Sequence, residues 1–295
     1  MTATTTGEKL RHRLNHFVTL KDWLWLSIWI SGILFIWIWN LIFLNSPALH
    51  QIENGFLNTI IIAAMVILIA AGLGWGITLI DDILYRRFPR MRIALGFLIN
   101  LIRSVPQIVG TLLGYVLLTL LIQNKILTSA PLILFSMALI IAVFLFLEIF
   151  DLLRERIAHF RKLDFYDAML VCGISEHFII NREIILRSSP MHMINKLIGI
   201  FGGAIFLLCS VDFIISVGLS TEISPVDLPV TLGSLLAKID SKQDILAIGH
   251  SMTHWNYMIK LPFEHLQGIT VASLIVFTLL CIYQIANGYG RRHRL

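Results

Sequence analysis

Long apolar stretches, each about long enough to cross a lipid bilayer as a helix, recur six times along the chain. A hydrocarbon core of about 30 Å needs about 20 apolar residues in helical conformation. The second stretch contains no charged residue and has small residues at positions 70, 71, 72, 74 and 76, which suits close helix packing in lipid. An amphipathic helix is predicted from about residue 93, just before the third apolar stretch. The predicted spans cover residues 23–44, 56–80, 106–122, 131–150, 197–217 and 266–288.

Two segments between the predicted spans are too long to be simple turns. They cover about residues 152–195 and 218–265. Short turns would suffice if only packing mattered, so functional residues are expected in these segments. No Pro/Ser-rich linker or internal repeat divides the chain. The pattern therefore predicts one membrane domain over residues 23–290, between an N-terminal segment 1–22 and a tail 291–295. Because a polar start precedes the first span and no small-residue cleavage site follows it, that span is predicted to remain as an anchor.

The composition agrees with this all-α, polytopic membrane prediction. Of 295 residues, 57% are hydrophobic and 14% are charged, and the mean hydropathy is +0.82. Soluble domains carry roughly 25% charged residues, and a soluble globule of this composition would expose very large apolar patches. A water-soluble enzyme, a disordered chain and a disulfide scaffold are therefore excluded. The three cysteines form no metal or redox motif and are expected to be small core residues.

Lysine and arginine are distributed unevenly between the predicted loops. Four lie at or before Lys21, five from Arg86 to Arg103, seven from Arg154 to Lys196, and three in the tail, so 19 of 23 fall on one side of six spans. By the positive-inside rule this side is the cytoplasm, which predicts cytoplasmic N- and C-termini, a cytoplasmic segment 152–195 and an external segment 218–265. The net charge of +5 thus indicates orientation, and no nucleic-acid partner is expected.

The cytoplasmic segment between residues 164 and 190 predicts a helix, a break and a second helix. Asp164 is expected to cap the first helix, with Asp167 in its first turn, where acidic residues suit the positive end of the helix dipole. Gly173 is expected to interrupt the helix, and Ser175 to cap the next one, whose first turn holds Glu176.

Phe165, Met169 and Cys172 recur at helical spacing in this segment, which predicts an apolar stripe on the first helix. Two interpretations follow equally well from these residues. The helix could rest among lipid headgroups at the membrane surface, or it could dock onto a cytosolic partner.

This segment resembles the cytoplasmic loop of bacterial ABC-importer permeases, which carries an E-A-A-x3-G motif. Here the motif reads Asp167-Ala168-Met169, three residues, then Gly173. The closer similarity is to the dipeptide/oligopeptide/nickel permease family. Met169 departs from it by replacing the second alanine, and Glu183 stands where the family often has histidine. The matching positions are Arg154, Ala168, Gly173, Ser175, Arg182 and Pro190.

Other short motifs follow in the family's order, so that the resemblance covers about residues 56–290. Asn58-Thr59 is similar to the family's N-T-L at the start of the second span, and residues 103–106 (Arg-Ser-Val-Pro) are similar to its R-a-x-P. Residues 229–236 resemble the external T-P-x-W-G-x-M-L, with Leu232 in place of tryptophan. Residues 45–55 form a shorter predicted external loop than many family members have.

The resemblance implies a type I ABC-importer permease fold in a bacterial inner membrane. It implies a subunit that forms, with a homologous second permease, the pathway for a peptide or other small solute. Two cytosolic ATP-binding subunits and a periplasmic substrate-binding protein would be its partners. The helix before Gly173 would be the coupling helix that contacts the ATPase. The residues assigned to this role are Arg154, Asp164, Asp167, Ala168, Met169, Gly173, Ser175 and Arg182.

No phosphate-binding loop G-x-x-x-x-G-K-[ST] occurs in the chain, so ATP hydrolysis is expected on the partner subunits and not here. No cofactor or metal is expected either; His250 and His254 lie four residues apart but lack a third ligand. Two alternatives stay open. The same architecture could move a small cation, such as a polyamine or a cationic peptide, outward. More remotely, the chain could be an intramembrane enzyme or an ATP-independent channel.

Ionisable residues within predicted spans are costly to bury and therefore are candidates for function. Asp212, in the fifth span, either faces the pathway and favours a cationic substrate or pairs with a polar neighbour. Glu148 and Asp151, at the end of the fourth span, are expected to reach water or to pair with Arg154. Asp81 and Asp82 are expected in a solvated charged turn.

Overall fold

The computed structural model describes residues 21–218, 228–237, 246–247, 249–257 and 266–293. The predicted N-terminal segment 1–22 thus lies almost wholly outside the described residues, and so does much of segment 218–265. Within the described residues the chain is helical and contains no β-strand, as the sequence predicts.

Ten helical elements are used below, numbered in chain order. One of them, α7, is composite: an α-helical turn, Glu176–Phe178, runs directly into a π-helical stretch, Ile179–Ser188. The others are α1 (Lys21–Phe43), α2 (Ser46–Arg87), α3 (Pro89–Ser104), α4 (Gln107–Gln123), α5 (Ala130–Phe160), α6 (Asp164–Val171), α8 (Pro190–Gly218), α9 (Leu232–Leu236) and α10 (Leu266–His293).

Among the described residues, five helices are long and apolar enough to cross a membrane: α1, α2, α5, α8 and α10. A sixth crossing is possible if α3 and α4, which meet at 94°, count as one broken span. These helices confirm that the chain is an all-α, polytopic membrane protein. The predicted third span corresponds to α4, and the predicted amphipathic approach to α3.

Helix α2 is much longer than predicted. Its 42 residues correspond to about 63 Å of helix, roughly twice the thickness of the hydrocarbon core. The predicted loop 45–55 is wrong, because helix begins already at Ser46, where a proline in the first turn is compatible with a helix start. Leu49 and Ile52 are buried there. The predicted charged turn at Asp81 and Asp82 is also wrong, since both lie within α2.

The core forms where α2, α5 and α8 pack together. Fully buried side chains such as Ile62, Met137, Ile141 and Leu208 fill it. Helix α1 lies at the periphery against α10, and most of its apolar side chains are exposed, which suits contact with lipid. Polar side chains join the two helices, because Thr270 donates a 2.9 Å hydrogen bond to Asn40 and Trp29 donates a 3.2 Å one to Thr278.

The helix ends divide the bundle into two sides. Arg292, at the end of α10, pairs with Asp22, at the start of α1, at 2.9 Å. The Tyr289 hydroxyl lies 3.1 Å from the sulfur of Met191, at the start of α8. The N-terminus of α1 and the C-terminus of α10 therefore lie on the same side of the bundle. We call this side, where α2 and α5 end as well, the basic end, and the opposite side the distal end.

Candidate functional site

Helix α6 lies at the basic end, in the segment that joins α5 to α8. It begins at Asp164, and Leu163 occupies the N-cap position without a side-chain capping bond. The prediction that Asp164 caps the helix is therefore wrong by one residue. Asp164 and Asp167 both lie in the first turn, where their charges favour the helix N-terminus.

The break after α6 is a Schellman motif centred on Gly173, with Met169 and Leu170 accepting its hydrogen bonds. Gly173 has a φ of +78°, the left-handed conformation that glycine adopts without steric cost. Its amide donates to the Leu170 carbonyl at 2.9 Å, and the Ile174 amide donates to the Met169 carbonyl at 3.2 Å. Ser175 then occupies the predicted N-cap position of α7, although its side chain makes no capping bond. The predicted helix, break and helix are thus confirmed.

The outward surface of α6 is exposed. Val171 is 88% exposed, Leu170 and Phe165 are each 38% exposed, and Asp167 and Ala168 are exposed beside them. We call the exposed side of the segment 164–173 the α6 tip. Because the free thiol of Cys172 is exposed here, the prediction that all three cysteines are core residues is wrong for this one.

Tyr166 is the residue of α6 that the predicted stripe missed. It is buried, and its hydroxyl donates a hydrogen bond to the Glu176 carboxylate. Met169 packs against the core from the same helix, whereas Phe165 and Cys172 do not face inward. The sequence signal was available, since a buried tyrosine needs a polar partner for its hydroxyl and Glu176 follows ten residues later.

A second set of contacts fixes the base of this segment. Arg161 pairs with Glu176 at 3.0 Å and with Asp82 of α2, and Tyr166 bonds to the same glutamate. The residues on both sides of α6 are therefore tied to each other and to the end of α2. We call Asp82, Arg161, Tyr166 and Glu176 the base network. Sequence reasoning missed it because its members are up to 94 positions apart.

The electrostatics of the base network keep its charges in place. Burial would lower the pKa of the Arg161 guanidinium, but its hydrogen bonding with Tyr166 and the charge of Asp82 outweigh this and raise it. Burial, together with the hydrogen bond to Glu176, raises the pKa of Tyr166 above its ordinary value. Arg161 is therefore cationic and Tyr166 a neutral donor at physiological pH.

Helix α7 anchors the segment to the bundle. Its isoleucines at positions 179, 180, 184 and 185 are all fully buried, and their i, i+1, i+5, i+6 spacing matches the wider π-helical turn. The Asn181 side chain accepts a 3.1 Å hydrogen bond from Trp75 of α2. Arg182 lies on the exposed side, with its guanidinium 5.1 Å from the centre of the Phe178 ring.

Arg154 lies apart from the other predicted coupling residues, on α5 and outside the base network. Its guanidinium is 6.0 Å from the centre of the Phe150 ring. Glu148 and Asp151 were expected to reach water or to pair with Arg154; neither pairs with Arg154, whereas the Asp151 side chain does reach water, since it is 52% exposed. Glu148 pairs with Lys196 of α8 at 2.9 Å and Asp151 with Arg103 of α3 at 2.6 Å, because these neighbouring helices bring their cations closer.

A buried polar cluster lies at the distal end, around the short helix α9. Thr231 caps α9 through a reciprocal capping box with Ser234. Its neighbour Leu232 donates its backbone N–H to Thr59 of α2 at 3.0 Å, and Asn58 donates to the Val230 carbonyl at 2.9 Å. The resemblance had singled out residues 58–59 and 229–236 separately, and the structure brings them into contact.

Asp212 belongs to this cluster. The Thr231 hydroxyl donates a hydrogen bond to its Oδ2, and the residue is 4% exposed. Its Oδ1 is buried and makes no hydrogen bond to a described residue. Tyr115 of α4 lies within electrostatic range of this carboxylate and is itself fully buried. Asp212 thus has a polar neighbour, which is one of the two arrangements considered for it.

The chain matches no protein-family model and no curated protein. In the part of the chain that the structure describes, no group of three or more His, Cys, Asp or Glu side chains is placed to hold a metal ion.

Proposed function

We propose that this chain is the membrane-spanning permease subunit of an ABC transporter, of the dipeptide/oligopeptide/nickel type. The observation that carries the proposal is the exposed α6 tip, which the base network holds to the rest of the bundle. A helix that presents apolar and acidic side chains outward, and is tied at both ends to the bundle, is suited to receive a partner and to transmit its displacement.

The base network supports the coupling role because it connects the residues that flank α6 to a membrane-spanning helix. Arg161 and Glu176 flank α6, and Asp82 belongs to the long helix α2. Motion imposed on the α6 tip would therefore reach a spanning helix through ion pairs rather than through a flexible loop. Rigid-body rocking of membrane helices around a central pathway is the general pattern of alternating access.

The proposal places the basic end in the cytoplasm of a bacterial cell and the distal end outside the inner membrane. The positive-inside rule supports this orientation. A homologous second permease would complete the pathway for a peptide or other small solute, and two ATP-binding subunits would dock at the α6 tips. A periplasmic binding protein would deliver the substrate at the distal end.

Cys172 gives a direct test of docking. Cys209 and Cys281 are buried, so a maleimide should label the native chain at Cys172 alone. We expect labelling to slow when the chain is purified from its native membrane together with bound ATPase subunits. The control combines Cys172→Ser with Asn124→Cys, which moves the thiol to an exposed position at the distal end. Labelling that slows equally at both positions, or at neither, would argue against docking at the α6 tip.

Gly173 gives a second test with a matched control. Valine rarely adopts a φ of +78°, whereas asparagine tolerates this region. We expect Gly173→Val to lose co-purification with the ATPase and Gly173→Asn to keep it. A purified chain that transports solute by itself after reconstitution would overturn the proposed function altogether.

A further inference from the structure

A cavity of about 250 Å³ opens at the basic end between α3 and α5. Its charged lining consists of one acid, Asp81, and three arginines, Arg92, Arg103 and Arg154. Asn100 adds an amide, and Gly96 leaves open space, since a Cβ at that position would meet no atom within 4 Å. The cavity is therefore open to a ligand and carries an excess of positive charge.

Two of the three arginines already have carboxylate partners. Arg92 bonds to Asp81 at 3.1 Å and Arg103 to Asp151 at 2.6 Å. Arg154 forms no ion pair with any described residue, and it rests over the Phe150 ring instead. A guanidinium carries five donors in a fixed fork that matches phosphate and carboxylate oxygens. Arg154 is therefore available to an anionic ligand at this cavity.

The same arginine borders a second cavity. This neighbour has a volume of about 270 Å³ and shares Asp81, Arg92 and Arg154 with the first. Arg154 thus lines two spaces of similar size. A ligand larger than a single phosphate group could extend from one into the other.

An apolar stripe continues from the first cavity along the outside of α3. Ile93, Phe97 and Leu101 follow one another at i, i+4 and i+8, and they are 73%, 71% and 53% exposed. Ile93 also lines the cavity. A helix with this exposed stripe, next to the ends of two spans, is typical of the boundary between headgroups and acyl chains.

We infer that this cavity binds the headgroup of an anionic phospholipid. Arg154 holds the phosphate, and an acyl chain lies along Ile93, Phe97 and Leu101. Basic pockets between spanning helices on the cytoplasmic side are a recurring form of anionic-lipid site. A soluble phosphate compound would use the arginine but would gain nothing from the stripe. The inference needs only a membrane-spanning chain and does not depend on the proposed function.

Native mass spectrometry of the full chain in detergent tests the site. Phosphatidylglycerol and phosphatidylcholine of equal chain length are offered at equal concentration, and the fraction of protein carrying each lipid is measured. We expect phosphatidylglycerol to be preferred, and Arg154→Gln to reduce that preference about fivefold, the effect of one basic residue near anionic lipid. Arg187→Gln, at an exposed arginine outside both cavities, should leave the preference unchanged.

A second variant keeps the test decisive if Arg154→Gln folds poorly. Gly96→Leu fills the cavity without changing its charge, and it should lower phosphatidylglycerol binding too. Inorganic phosphate at millimolar concentration should not displace the lipid. The inference is overturned if neither variant changes the lipid preference, or if phosphatidylcholine binds equally well. Displacement by inorganic phosphate would overturn the lipid as ligand and assign the site to a soluble anion.

Discussion

Arg161 donates a 3.0 Å hydrogen bond to the Glu176 carboxylate, and this contact joins the end of α5 to the start of α7. Helix α6 lies between the two residues in sequence, so it becomes the tip of a loop that is closed at its base. Arg161 also pairs with Asp82, which connects the same point to α2. One side chain therefore links three elements.

Replacing Arg161 by glutamine should destabilise the chain. The variant loses both ion pairs, and because the Arg161 side chain is only 28% exposed the solvent compensates only in part. We expect a loss of about 1–3 kcal/mol, less than for a fully buried pair. Thermal unfolding of the purified chain in detergent measures it as a lower Tm.

Arg187→Gln is the matched control for this variant. Arg187 pairs with Glu183 at 3.2 Å one helical turn away, but its side chain is 78% exposed. Such surface pairs contribute about 0.5 kcal/mol or less. Equal Tm shifts for the two variants would show that the base network adds nothing beyond an ordinary surface pair.

Tyr166 should make the stability depend on alkaline pH. Its pKa is raised in the folded chain by burial and by the bond to Glu176, whereas an unfolded tyrosine loses its proton near about pH 10. Above that pH the folded state binds more protons than the unfolded state, so stability falls as pH rises toward the folded pKa. We expect the native Tm to fall more steeply than that of Tyr166→Phe as the pH rises above about 10.

The tyrosine variant also has an expected effect at neutral pH. Phenylalanine keeps the ring but loses the hydrogen bond to a carboxylate, which typically contributes about 1.5–3 kcal/mol. Lysines titrate in the same alkaline range in both proteins, so only the difference between the two curves reports on Tyr166. Parallel curves would contradict the raised pKa.

Local chemistry explains which parts of the candidate site were predictable. Gly173 predicts the end of one helix and Ser175, two residues later, predicts the start of the next, and the structure has both. The spanning helices were equally predictable from the sequence, because the thickness of the bilayer dictates the length of an apolar run. The end of α2 at Arg87 was not, since hydropathy ceases to mark a helix once it leaves the membrane.

Pairing between distant residues explains what was missed. Asp82, Arg161 and Glu176 look like separate surface charges in sequence, and only the packing of α2 against α5 brings them together. The π-helical course of α7 was missed because a 3.6-residue period was assumed. The pairs Ile179-Ile180 and Ile184-Ile185 are five positions apart, which fits a π-helical turn better than an α-helical one.

Gly233 should tolerate no side chain. A Cβ there would lie 2.5 Å from the backbone oxygen of Cys209 and 2.7 Å from its Cα, so Gly233→Ala must displace α9 from α8. We expect a loss of about 1–3 kcal/mol, as for other overpacked sites. Gly72→Ala is the control, because a Cβ at Gly72 meets no atom within 4 Å. The control should be neutral or stabilising by up to about 1 kcal/mol; similar losses in both variants would contradict the close approach.

Thr231 and Asp212 allow the structural and the transport roles of the distal cluster to be separated. Thr231→Val removes the donor to Asp212 and the acceptor for the Ser234 amide, and a loss of about 2 kcal/mol is expected in thermal unfolding. Asp212→Asn keeps an oxygen that can accept from Thr231, so it should cost less while removing the charge.

The asparagine variant then tests whether Asp212 serves the pathway. Because its fold should be retained, any change in transport can be attributed to the lost charge. Uptake of cationic and neutral substrates is compared in liposomes that hold the complete transporter, with native chain and Asp212→Asn side by side. A selective loss of cation uptake would support the pathway hypothesis, since a buried carboxylate attracts cations. Unchanged uptake of both would assign Asp212 to holding α9 in place.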